Sequence, residues 1–156
     1  MVDAVTATVS FVEFVTDVEP RLRHALCAAF GLDLGRDACA HALAYGWENW
    51  EKVWAKSNPA GYLWGVGRNY ALKQTRRPPS LPPAPIQSMP WIEPGLPDAL
   101  STLSERQRVT VILIHGLGWS QGEVAELMGI SKSSVQSQVE RGMTKLRRRM
   151  GVESDS

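Results

Sequence analysis

Apolar side chains recur at three- and four-residue spacing through most of the chain, the signature of helices with one buried face. Between residues 10 and 30 the stripe is Phe11, Phe14, Val15, Val18, Leu22, Ala25 and Leu26. Pro20 interrupts it, so either the helix kinks there or a second helix opens with that proline in its first turn. Gly31 and Gly35 bracket a turn. Residues 36–54 form the next helical run, with Ala40, Leu43, Trp47, Trp50 and Trp54 in register. Such an aromatic stripe reads first as core, and second as a partner groove. Residues 56–58 are a loop, and Pro59 suits the first position of the helix that follows. Leu63, Val66 and Tyr70 make the inner face of that helix. Trp64, Arg68, Lys73, Arg76 and Arg77 are left outside, and cations interleaved with an aromatic suit single-stranded nucleic acid. Gly65 and Gly67 each cost about 1 kcal/mol in a helix interior, which points to close packing or a partner's approach.

The pattern is most articulate near the C-terminus. Ser104 with Gln107 forms a capping box ahead of Val109, Ile112 and Leu113, and Ser120 with Glu123 forms another. Val124, Leu127 and Met128 give one buried face. Gly129 stands where a helix must stop, Ile130 plugs the turn, and Ser131 is a fresh N-cap. Val135, Val139, Met143 and Leu146 then line a second helix. Helix, glycine turn, helix is a helix-turn-helix. The outer face of its second helix carries Lys132, Ser133, Ser134, Gln136, Ser137, Gln138, Arg141 and Lys145, side chains suited to base edges and phosphates. A solvated face in an ordinary bundle is the bland alternative.

Residues 77–95 hold most of the chain's ten prolines and favour a semi-rigid, polyproline-like spacer. Trp91 and Ile92 are its large apolar groups, placed to dock on a domain or partner. The expected fold is therefore all-α: a helical domain over 1–77, a proline-rich linker over 78–97, and a helix-turn-helix domain over 98–156.

Charge sharpens this picture only locally. The net charge is +1, but from residue 131 to 150 six cations stand against Glu140 alone, a field that favours nucleic acid. No secretory leader or membrane span is legible, so a cytoplasmic protein with no membrane partner is expected. Cys27 and Cys39 then read as reduced thiols. Zinc on His24, Cys27, Cys39 and His41 is disfavoured, because Cys39 and His41 at i, i+2 diverge on a helix. Neither a metal nor a cofactor is expected. His24, His41 and His115 lack a nucleophile or acid at useful spacing, so no enzyme is expected.

Two stretches resemble bacterial RNA polymerase sigma factors of the extracytoplasmic-function type. Leu100, Leu103, Arg106, Gln107, Gly118, Trp119, Ser120, Glu123, Val124, Ala125, Gly129, Ile130, Ser131, Val135, Arg141, Leu146 and Arg147 resemble the family's region four, which reads the minus-thirty-five promoter element. Asn58, Pro59, Tyr62, Leu63, Val66, Arg68, Asn69, Ala71, Arg76 and Arg77 resemble region two, which binds core polymerase and opens the minus-ten element. Asp37 and Trp47 resemble the frame of its polymerase-docking helix, so the resemblance places docking on Asp37, Ala40, His41, Trp47 and Trp50. The chain departs from the family where Ala40 and His41 replace a common glutamine and acid, and where Lys73 replaces a frequent aspartate. Those changes weaken the acidic docking surface.

The resemblance implies promoter DNA and core RNA polymerase as partners, with an anti-sigma factor or other regulatory protein as a further one. The alternatives are a sigma-like DNA-binding regulator or accessory subunit without autonomous initiation, and a protein-interaction module that binds an anti-sigma-type partner.

Overall fold

The computed structural model describes residues 4–75 and 95–151, with side chains from residue 10 onward in the first stretch. Most of the proline-rich linker, together with Arg76, Arg77, Trp91 and Ile92, lies outside the described residues. Every regular element among the described residues is helical, so the fold is all-α. Two compact units divide the chain: Met1–Arg76 with Glu126–Gly129, and Arg77–Ala125 with Ile130–Ser156.

The first unit contains α1 (Ala4–Phe30), α2 (Leu32–Glu48), α3 (Trp50–Trp54) and α4 (Pro59–Thr75). Helices α1, α2 and α4 pack on one another around Val18, Leu22, Ala25, Leu26, Ala38, Ala42, Leu63 and Ala71, all buried. Pro20 is accommodated inside a continuous α1. At Gly31, φ of +89° ends that helix. Helix α2 then begins at Leu32, so Gly35 belongs to the helix and not to a turn. Its role is proximity: a Cβ there would meet Cys27 Cα at 2.4 Å. Gly67 plays the same part on α4, where a Cβ would lie 2.8 Å from Leu26 Cδ1, whereas Gly65 faces open space.

The single helix expected over 36–54 is two. Asn49, at φ −123°, breaks the run, and its backbone N–H and side-chain amide both donate to the Tyr45 carbonyl. The change of direction splits the tryptophan stripe. Trp50 is buried, while Trp47 and Trp54 are 49% and 60% exposed. Asn58 Oδ1 accepts from the Gly61 N–H at 3.0 Å, capping α4 just ahead of Pro59.

The second unit contains α5 (Leu96–Ser101), α6 (Glu105–Val111), the first part of α7 (Gln121–Met128) and α8 (Lys132–Met150). A π-helical turn, Ile112–Gly116, prolongs α6. Helix α8 packs on α5 and α6, and Ala99, Leu103, Val109, Leu113, Val124 and Val135 are buried. Gly142 lets α8 approach α6, since a Cβ there would lie 2.7 Å from Val111 Cγ2. Thr110 is fully buried, and its hydroxyl donates to the carbonyls of Arg106 and Gln107.

Candidate nucleic-acid interface

The turn before α8 is fixed by hydrogen bonds that its short sequence dictates. Ser120 Oγ accepts from the Glu123 N–H at 3.1 Å, and Glu123 Oε1 accepts from the Ser120 N–H at 3.2 Å. This reciprocal pair opens α7 and satisfies two end groups that a helix cannot bond internally. Gly129 takes φ +68°, and the Ile130 N–H reaches back to the Ala125 carbonyl at 3.1 Å, closing a Schellman-type stop. Ser131 then accepts from the Ser134 N–H at 3.1 Å and starts α8.

Val135, Val139 and Gly142 form the buried stripe of α8, with Met143 and Leu146 half-buried beside it. The opposite face presents Lys132, Ser133, Gln136, Ser137, Arg141 and Lys145, all exposed, with Ser134 and Gln138 half-buried at its edges. Nineteen residues give a rod of about 28 Å, long enough to lie in a DNA major groove. Arg147, Arg148 and Arg149 close the helix, which favours cations near its C-terminus. A shallow groove along α8 is lined by Gln107, Glu140, Arg141, Thr144, Lys145 and Arg148. Glu140 is also the partner of Gln136, whose amide donates to it at 3.2 Å.

In the first unit, Asp37, Ala40 and His41 share an exposed face of α2. Tyr70 of α4, expected only as an inner-face residue, joins them: its hydroxyl donates to Asp37 Oδ2 at 2.8 Å, and the His41 ring stacks on it at 4.2 Å. Two expectations fail here. Trp50 is buried against Phe11 and Phe14 and so offers no exposed docking contact. Trp64, expected on the outside of α4, is buried at 6% exposure and offers no free ring for base stacking. Lys73 is exposed and Arg68 half-buried.

A second cluster escaped the sequence pattern. Tyr45 and Tyr62 hydroxyls lie 3.3 Å apart, Lys52 donates to Tyr45 at 3.3 Å, and Lys56 sits 5.0 Å from the Tyr62 ring centre. The hydrogen bond to Tyr45 pushes the Lys52 ammonium up, and the bond from Tyr45 pulls the Tyr62 phenol down. No periodicity links positions 45, 52, 56 and 62, because the chain turns twice between them.

Residues 95–146 match the family described as Sigma-70, region 4. That segment, about a third of the chain, is similar to sigma-70 region 4. It takes in α7, the glycine turn and α8 as far as Leu146, so the resemblance read from the sequence holds there in both residues and geometry. Fourteen chains of solved structures match. One is the sigma factor RpoE in complex with the anti-sigma factor NepR from Bartonella quintana. It aligns with a TM-score of 0.61 and 24% identity, over 93% of this chain and 99% of that one. The fold of a sigma factor therefore extends across both units. Comparison with curated protein sequences finds no match. Among the described residues no helix is long and apolar enough to cross a membrane.

Proposed function

We propose that this chain is a transcription-initiation protein of the extracytoplasmic-function sigma type. Its C-terminal unit reads the upstream promoter element with α8 in the major groove, and its N-terminal unit docks on core RNA polymerase through the Asp37, Ala40 and His41 face. The capped, exposed polar-cationic face of α8 within a region-four match carries the reading. Arg68 and Lys73, with Arg76 and Arg77, supply the cations for the backbone of the melted downstream element.

Duplex binding by the full chain tests it. Affinity should fall as salt rises, because each neutralised phosphate releases counterions. Arg141→Ala or Lys145→Ala should weaken all sequences alike and flatten the salt slope by about one unit. Binding that ignores salt would end the assignment.

The exposed Trp47 and Trp54 favour a second reading, in which the first unit is a surface for a regulatory protein. The related sigma factor was seen with an anti-sigma factor. A gel shift separates the two readings: a chain that never retards duplex DNA but associates with such a partner is an interaction module.

A further inference from the structure

An acid on a DNA-reading helix opposes the phosphates around it, so Glu140 needs a reason to be there. It is exposed, one helical turn beyond Gln136 and next to Arg141, on the face that carries Gln136 and Ser137. Gln136 Nε2 donates to Glu140 Oε1 at 3.2 Å. An ionised carboxylate only accepts, so the sense of the amide is fixed with its nitrogen toward Glu140 and Oε1 turned away. The pair thus offers acceptors: the Gln136 carbonyl and the carboxylate.

In the major groove guanine shows two acceptors, and thymine an acceptor and a methyl group. Adenine shows a donor beside an acceptor. Cytosine alone offers an amino donor with no acceptor next to it on its own edge. We infer that Glu140, held by Gln136, makes α8 select cytosine at one position of its duplex site. The inference rests on the groove-facing reading of α8. The cost of the negative charge in general DNA binding is then offset by discrimination at that base.

Selection from a pool of randomised duplexes, using the full chain as wild type, Glu140→Ala and Glu140→Gln, decides it. Wild type should return a consensus in which one position prefers cytosine by about ten-fold. Glu140→Ala should erase that preference, leave the other positions intact, and bind random duplex more tightly because a like charge is gone. Glu140→Gln should turn the position toward adenine, since an amide can accept from N6 and donate to N7. A residue that only steadied the helix would weaken all sequences together and alter no single position. A wild-type consensus that survives Glu140→Ala unchanged overturns the inference and leaves α8 as the reading helix. If wild type enriches nothing, both fall.

Discussion

In the C-terminal unit the start of α6, α7 and α8 is marked by a serine whose hydroxyl accepts a backbone N–H three residues on, and α7 ends on a left-handed glycine. In the N-terminal unit α2 has no side-chain cap, and α1 runs through a proline. What orders that unit is contact: Gly35 against Cys27, Gly67 against Leu26, and a ladder of rings from Phe11 and Phe14 through Trp47, Trp50 and Trp54. Local hydrogen bonds set helix limits without reference to the rest of the chain, whereas close approach requires two distant segments to agree. The first unit should therefore be broken by volume and the second by loss of caps.

The largest effect is expected from Gly35→Ala. The added Cβ would strike backbone, Cys27 Cα and N, and backbone cannot swing aside. A destabilisation of about 3 kcal/mol is expected, as for severe overpacking, despite the helical preference of alanine. Gly142→Ala is the control in the other unit, where the closest clash is with a side-chain methyl, Val111 Cγ2, and the nearest backbone atom lies 3.4 Å away. About 1 kcal/mol or less is expected there. Thermal and denaturant unfolding would measure both, and equal losses would mean that close approach is not what distinguishes the first unit.

Alkaline pH should also single out the first unit. Burial, helped by Glu19 and Cys27, pushes the Cys39 thiol from 9.0 up to about 11. The folded state thus keeps a proton that the unfolded chain loses above pH 9. Stability from this group is full below pH 9 and declines as pH rises toward 11, by an amount on the order of 1–2 kcal/mol. Cys39→Ala should remove that portion of the decline. An unchanged profile would show that the thiol ionises freely.

The contrast between the units also explains what could be read in advance. Ser120, Glu123, Gly129 and Ser131 act within a few residues of themselves, so spacing alone located α7, its turn and α8 correctly. Helix α2 differs from its expected limits at both ends, because Gly35 resembles a turn glycine in sequence and its close contact with Cys27 is a tertiary feature. Asn49 gives little warning that it divides the tryptophan run. Trp64 falls outside the Leu63, Val66 and Tyr70 stripe and is still buried, because the inner arc of α4 is wider than that stripe. On the candidate DNA face, every polar residue proposed from the sequence is exposed or half-buried. In sequence Glu140 is merely an exception to the positive charge, since its bond to Gln136 depends on side-chain orientation.

Ser131→Ala tests the second unit by its own logic. The hydroxyl bonded to the Ser134 N–H is lost, and about 1 kcal/mol of stability with it. The start of α8 should fray, so binding to duplex should weaken with little change in the preferred sequence. Ser131→Asp restores an acceptor at the same place and should recover stability, with the helix dipole in its favour. Failure of the aspartate to recover stability would mean that α8 is held by packing alone, and the distinction between the units would weaken.

The smallest effect is expected on the proposed polymerase-docking face. Where the sigma factors that this stretch resembles commonly carry a glutamine, the chain has Ala40, an exposed position one helical turn from Asp37. Ala40→Gln should tighten binding to core polymerase by less than about ten-fold, because an exposed polar contact contributes on the order of 1 kcal/mol at most. Restoring the neighbouring acid is a different matter. His41 stacks on Tyr70, and Tyr70 donates to Asp37, so the imidazole belongs to a three-residue arrangement. His41→Glu would remove the stack and place a second carboxylate one helical turn from Asp37, a like-charge pair that costs a few tenths of a kcal/mol. Its electrostatic gain toward polymerase should be largely cancelled, leaving the double substitution no tighter than Ala40→Gln alone. Titration of labelled protein against core polymerase would resolve the three variants. If His41→Glu alone gave the tighter complex, charge and not the Asp37–Tyr70–His41 geometry would govern the grip. If wild type already bound tightly and both substitutions weakened it, the face would be fitted to a different contact from the one the family uses.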